Sequence, residues 1–133
     1  LITLCDELGL AGSVDFLRHI PFEQLVREYR DAALFCLPSR QEGFGIVLLE
    51  AMAAGRAVVA SRATAIPEVV PDGVAGSLVA PGDPDALAGT LIELLSHLER
   101  ADALGAAGAR HVEAFDASRV ATRFLESITG KRP

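Results

Sequence analysis

Along the chain, short apolar runs alternate with segments whose apolar residues recur every three or four positions, the periods of buried strands and of amphipathic helices. Ser13-Val14-Asp15-Phe16-Leu17 reads as a first strand. Over residues 22–29, Phe22, Leu25, Val26 and Tyr29 fall on one helical face, and Leu34 to Leu37 then forms a short buried strand. Residues 46–54 read as a helix closed by Gly55, and Ala57-Val58-Val59-Ala60 is the next strand. Residues 62–75 form a loop, and Gly76-Ser77-Leu78-Val79 makes the last strand. Asp83 suits an N-cap and Pro84 a first helical position, so a helix starts there and is expected to bury Leu87, Leu91, Leu94, Leu95 and Leu98. Two more helices are expected over about 100–114 and 117–128, the second capped by Asp116 and packed through Val120, Phe124 and Ile128. This alternation predicts an α/β fold, a three-layer α/β/α domain around a parallel sheet of about four strands.

Composition fits one ordinary globular domain: 133 residues, half of them apolar and 23% charged. Eighteen acidic against twelve basic residues give a net charge of −6, which disfavours nucleic acid and anionic membrane surfaces as partners. Lys131 and Arg132 form no basic patch. Apolar runs of spanning length and a secretory leader are both absent from the sequence, so a cytoplasmic protein is the expectation. Cys5 and Cys36 are too few and too far apart for a disulfide framework or a metal site, and Cys36, inside an apolar run, is expected in the core.

The candidate chemistry sits between the second strand and its helix. Pro38 and Ser39 end the strand, and Arg40-Gln41-Glu42-Gly43-Phe44-Gly45 leads into the helix. In open parallel sheets ligands gather beyond the carboxyl ends of the strands, where this loop lies. Gly43 and Gly45 let the backbone turn and approach a ligand, and the amides of Ile46 and Val47 at the helix start suit a phosphate. Glu42 before the turn and Glu50 one turn into the helix put a carboxylate on each side of that seat. Phosphate loops ordinarily avoid acids, whereas carboxylates accept strong hydrogen bonds from hydroxyl groups. The combination suits a diphosphate with hydroxyls at both ends, such as a nucleotide sugar. Phe44, an aromatic between two glycines, either folds over a ligand or packs on its own domain.

In sequence order, Pro38-Ser39, Glu42-Gly43-Phe44-Gly45, Glu50-Ala51-Met52-Ala53-Ala54-Gly55, Val58-Val59-Ala60-Ser61, Ile66-Pro67-Glu68-Val69-Val70, Asp72-Gly73, Gly76 and Pro81-Gly82-Asp83-Pro84 resemble the carboxyl-terminal domain of retaining GT-B glycosyltransferases with two Rossmann-like domains, of the family 4, or group 1, kind. The resemblance covers nearly the whole chain and matches the family's two glutamates, with seven residues between them, at Glu42 and Glu50. It implies a Rossmann-like donor-binding domain of a hexosyltransferase-type enzyme that moves a sugar from a nucleoside diphosphate with retention, in carbohydrate or cell-envelope biosynthesis. Glu42 would take the catalytic position, holding donor-sugar hydroxyls. The amides of Gly43, Phe44 and Gly45 would line the sugar and phosphate pocket, those of Ile46 and Val47 would meet the diphosphate, and Glu50 would hold the ribose. Arg18, His19 and Ile20 would lie beside the base. No cofactor or tightly bound metal is implied; the nucleotide sugar is the substrate. The family often has glycine at the position of Arg18 and a glycine pair at Thr64-Ala65. By the same comparison residues 1–8 end a helix whose preceding strand lies outside the chain, as do the acceptor domain and the phosphate-binding Arg and Lys. An open edge at the first strand then predicts a homodimer.

Two other readings compete. A dinucleotide-binding oxidoreductase would need a third glycine where Leu48 stands. Alternatively, the chain is a non-catalytic nucleotide-binding or interaction fragment. His19, His97 and His111 are too scattered for a metal site, and Glu68 and Asp72 are read as solvated loop carboxylates.

Overall fold

A computed structural model describes residues 1–116. Three parallel strands, β1 (Leu34–Leu37), β2 (Ala57–Ser61) and β3 (Ser77–Val79), lie side by side in the order β1-β2-β3. Leu34 stands opposite Ala57 and Leu37 opposite Ala60, and Val59 to Ser61 pair with Ser77 to Val79. Seven helical segments accompany them: α1 (Ile2–Glu7), α2 (Phe22–Asp31), α3 (Ile46–Ala53), α4 (Ile66–Val69), α5 (Pro84–Ser96), α6 (Leu98–Val112) and a final 3₁₀ turn, Glu113–Phe115.

The β2 strand is apolar at nearly every position because both its faces are covered. Val58 and Ala60 pack with Leu48, Ala51 and Met52 of α3 and with Ile66 and Val69 of α4. Their neighbours Ala57 and Val59 point the other way, onto Leu94 of α5 and Ala101 and Leu104 of α6. The period-2 alternation of a strand thus divides the core in two, with helices on each side of the sheet. Close packing of α6 depends on Gly105, where an added Cβ would stand 2.2 Å from the Gly55 carbonyl oxygen. Arg56 binds the other helix ends: its guanidinium donates to the carbonyls of Ala54 (3.2 Å) and Ala32 (3.1 Å), at the C-termini of α3 and α2.

Several expectations need correction. Residues 13–17 form no strand, so the described sheet has three strands and begins at Leu34. An apolar run becomes a strand only where a neighbour takes up its backbone groups, and within the described residues β1 pairs with β2 alone. For the same reason β1 is only half-buried, and Cys36 with it, although burial still pushes its thiol pKa up. Asp83 does cap α5, its carboxylate accepting from the Ala86 amide at 2.9 Å. Leu94 is buried, Leu87 and Leu91 are half-buried, but Leu95 and Leu98 are half exposed. His97 separates α5 from α6, so Leu98 starts a new helix instead of extending the first one's stripe. The loop after β2 contains a short helix, α4, which Pro67 favours by occupying its first turn. Residues 117–128, with Val120, Phe124 and Ile128, lie outside the described residues.

Candidate donor-binding site

The loop after β1 leaves the carboxyl edge of the sheet and enters α3 through Gly45. Gly45 is the N-cap of α3 in the left-handed region (φ 79°, ψ 45°) and is buried. A Cβ there would meet Leu48 Cδ1 at 2.7 Å and Glu42 Cγ at 3.5 Å, so both the backbone angle and the space require glycine. Without a side chain at the N-cap, no side-chain hydrogen bond covers the α3 amides. Ile46 and Val47 stand exposed at that end. An eight-residue helix with an uncapped amino end beyond a parallel strand is a positive dipole terminus with donors free for an acceptor.

Glu42 lies beside this end, half-buried, and its Oε1 accepts from the Gly43 amide at 3.1 Å. Its backbone is held from the next loop. Thr64 Oγ1 accepts from Glu42 N at 3.0 Å and donates to Glu42 O at 2.7 Å. Glu50, exposed on α3, accepts a hydrogen bond from Tyr29 Oη at 2.9 Å. Burial first, then the hydrogen bond and negative charge of Glu50, push the Tyr29 phenol up to about 12. Tyr29 and Glu50 line a groove of about 280 Å³ between α2 and α3, with Phe22, Leu25, Val26 and Ala53. The apolar face expected on α2 is therefore one wall of an open groove.

Phe44 is half exposed and meets Phe115 edge to face, ring centres 6.2 Å apart. Phe115 in turn packs on His111, whose Nε2 lies 3.1 Å from the Val69 carbonyl. Phe44 thus has a ring partner within its own domain and keeps part of its surface exposed. Arg18 and His19 are exposed and Ile20 half-buried, in the irregular segment before α2. His97 Nδ1 sits 2.9 Å from the Glu93 carbonyl. Asp72 is more than a solvated carboxylate: it accepts from the Leu78 amide at 2.8 Å and pairs with Arg62, and those interactions, the Leu78 bond foremost, lower its pKa. It fastens the turn that starts β3.

Tyr29, Thr64 and Phe115 were not singled out as site residues. Tyr29 showed only its helical period, and Thr64 only a departure from glycine; nothing local marked Phe115. The arrangement offers an open helix terminus for an anion with two carboxylates near it, that of Glu42 on the Gly43 amide with its backbone held by the Thr64 hydroxyl, and that of Glu50 on the Tyr29 hydroxyl.

Residues 1–111 match the family described as "Glycosyl transferases group 1". The chain is 40% identical over 129 residues to a D-inositol 3-phosphate glycosyltransferase of Mycolicibacterium smegmatis, covering 97% of this chain and 29% of that protein. A GDP-mannose-dependent alpha-(1-6)-phosphatidylinositol monomannoside mannosyltransferase of the same organism is 38% identical over 138 residues, covering 97% of this chain and 36% of that one. Among solved structures, sucrose-phosphate synthase from Thermosynechococcus elongatus superposes with a TM-score of 0.84 at 30% identity, over 97% of this chain and 34% of that one. Anabaena Alr3699/HepE in complex with UDP and glucose gives 0.82 at 27% identity, over 97% and 35%. The chain belongs to the group 1 glycosyltransferase family and has its GT-B type of α/β fold. It spans about a third of the length of these relatives.

Proposed function

We propose that this domain binds the nucleoside-diphosphate sugar of a glycosyltransferase that transfers the sugar with retention. The observation that carries the reading is the uncapped start of α3 behind Gly45, with Glu42 before it and Glu50 on its first turns. The diphosphate lies against the amides of Ile46 and Val47, where the helix dipole favours negative charge. Glu42 takes the catalytic position and accepts hydrogen bonds from the sugar hydroxyls, beside Gly43, Phe44 and Gly45. Glu50 accepts from the ribose, sharing its carboxylate with Tyr29, and Arg18, His19 and Ile20 face the base. UDP and glucose bound to the Anabaena relative support a donor of this class. No cofactor or tightly bound metal is needed, because the amides and, in the whole enzyme, basic side chains stabilise the leaving diphosphate.

Binding and transfer separate in this reading. The 133-residue chain binds nucleoside diphosphates weakly and transfers nothing unaided, since acceptor contacts and those basic groups belong to other parts of the enzyme. Calorimetry with UDP, UDP-glucose, GDP and GDP-mannose tests this. Glu50→Ala is expected to weaken the bare diphosphates and their sugars alike, and Glu42→Ala to weaken the sugars selectively. Equal affinities in wild type and both variants would contradict the reading.

A further inference from the structure

Thr64 has a backbone φ of 44°, the only positive φ at a non-glycine residue among those described. A β-branched residue is seldom found in that region, because its Cβ crowds the backbone. Surroundings that hold it there are correspondingly firm. Ala63 and Ile66 on either side are buried, Arg62 N donates to Val79 O at 2.7 Å, and Ile66 N donates to Ala63 O at 3.0 Å. The turn is thus fixed to the sheet and to α4. From it the hydroxyl engages both backbone polar groups of one residue, Glu42, in the neighbouring loop.

Glu42 then has its backbone fixed by Thr64 and its carboxylate held by the Gly43 amide, so the clamp sets where the side chain starts and the amide sets where it ends. Glu50 is steadied separately, by Tyr29 on α2. We propose that Thr64 is a positioning residue for the sugar end of the donor: its hydroxyl sets Glu42, and it acts on that end independently of the nucleotide end. The inference rests on the donor reading above. A hydrogen bond to a charged or precisely placed group is worth about a factor of ten in affinity.

The test uses the full chain and three variants, Thr64→Val, Thr64→Ala and Thr64→Ser. Calorimetry measures affinity for UDP, UDP-glucose, GDP and GDP-mannose, and amide hydrogen exchange follows Glu42 and Gly43. In Thr64→Val, which keeps the branch and loses the hydroxyl, exchange at Glu42 is expected to accelerate. Affinity for the nucleotide sugar that wild type prefers is expected to fall about tenfold, with its bare diphosphate unchanged. Thr64→Ala, which adopts the left-handed region more easily, is expected to do the same if Thr64→Val fails to fold, and Thr64→Ser is expected to restore both readouts. Wild-type sugar affinity in the valine and alanine variants, or a parallel loss for sugar and bare diphosphate, would overturn the inference while leaving the donor site standing. Failure of wild type to bind any of the four probes would overturn the donor reading and this inference together.

Discussion

At the scale of single residues, the site is a set of polar groups whose partners come from elsewhere in the chain. Tyr29 gives direct access to one of them, because the chain has a single tyrosine and no tryptophan. Its ultraviolet phenolate absorbance therefore reports one group. Titration is expected to give a midpoint near 12, against 10.0 for an unperturbed phenol. Since the folded value is raised, the stability linked to Tyr29 is fully present below pH 10.0 and is lost as pH rises through 12. Glu50→Gln is expected to bring the midpoint part of the way down, because burial, the largest cause, remains. A midpoint at 10.0 in wild type would remove the Tyr29–Glu50 contact. Asp72 has the opposite sign: its lowered pKa contributes stability above the ordinary carboxylate value that is lost as pH falls through the folded one. Gly45→Ala, forced to hold a positive φ with Cβ against Leu48, is expected to lose about 1–3 kcal/mol in urea unfolding.

Elements followed the sequence where local chemistry decided them. Asp83 with Pro84 fixed the start of α5, Gly55 closed α3, and the apolar run at β2 was buried on both faces as its composition implied. Errors arose where a distant partner decides. Residues 13–17 have a strand's composition but no ladder among the described residues, and Leu95 and Leu98 continue a stripe in sequence that the break at His97 interrupts in space. Unfolding measurements should separate these leucines. Leu94→Ala is expected to cost about 2–5 kcal/mol, and Leu98→Ala less than about 1 kcal/mol. Similar losses for both would mean that the exposed leucine is covered in solution. The two glutamates and the glycines between them were legible because they are contiguous with the loop. Thr64 and Phe115 reach it from 22 and 71 residues beyond Glu42 and Phe44, and no local pattern announces such contacts.

For the whole molecule, the described sheet ends in β1 on one side and β3 on the other, each with β2 as its strand neighbour, so the edge toward the chain's start lies at Leu34–Leu37 and not at the strand expected over residues 13–17. Its backbone groups remain a template for another strand. Light scattering is expected to show dimers of the 133-residue chain as concentration rises, and a monomer throughout would exclude pairing at this edge. Family membership and the open start of α3 both support the proposed donor site. The most direct measurement of donor binding is an amide chemical-shift map of the chain titrated with UDP-glucose and GDP-mannose. Saturable shifts are expected at Gly43, Gly45, Ile46, Val47 and Glu50. Shifts confined to the hollow lined by Ser61, Gly82 and Asp83, or no shifts with either nucleotide sugar, would contradict a donor site at the start of α3.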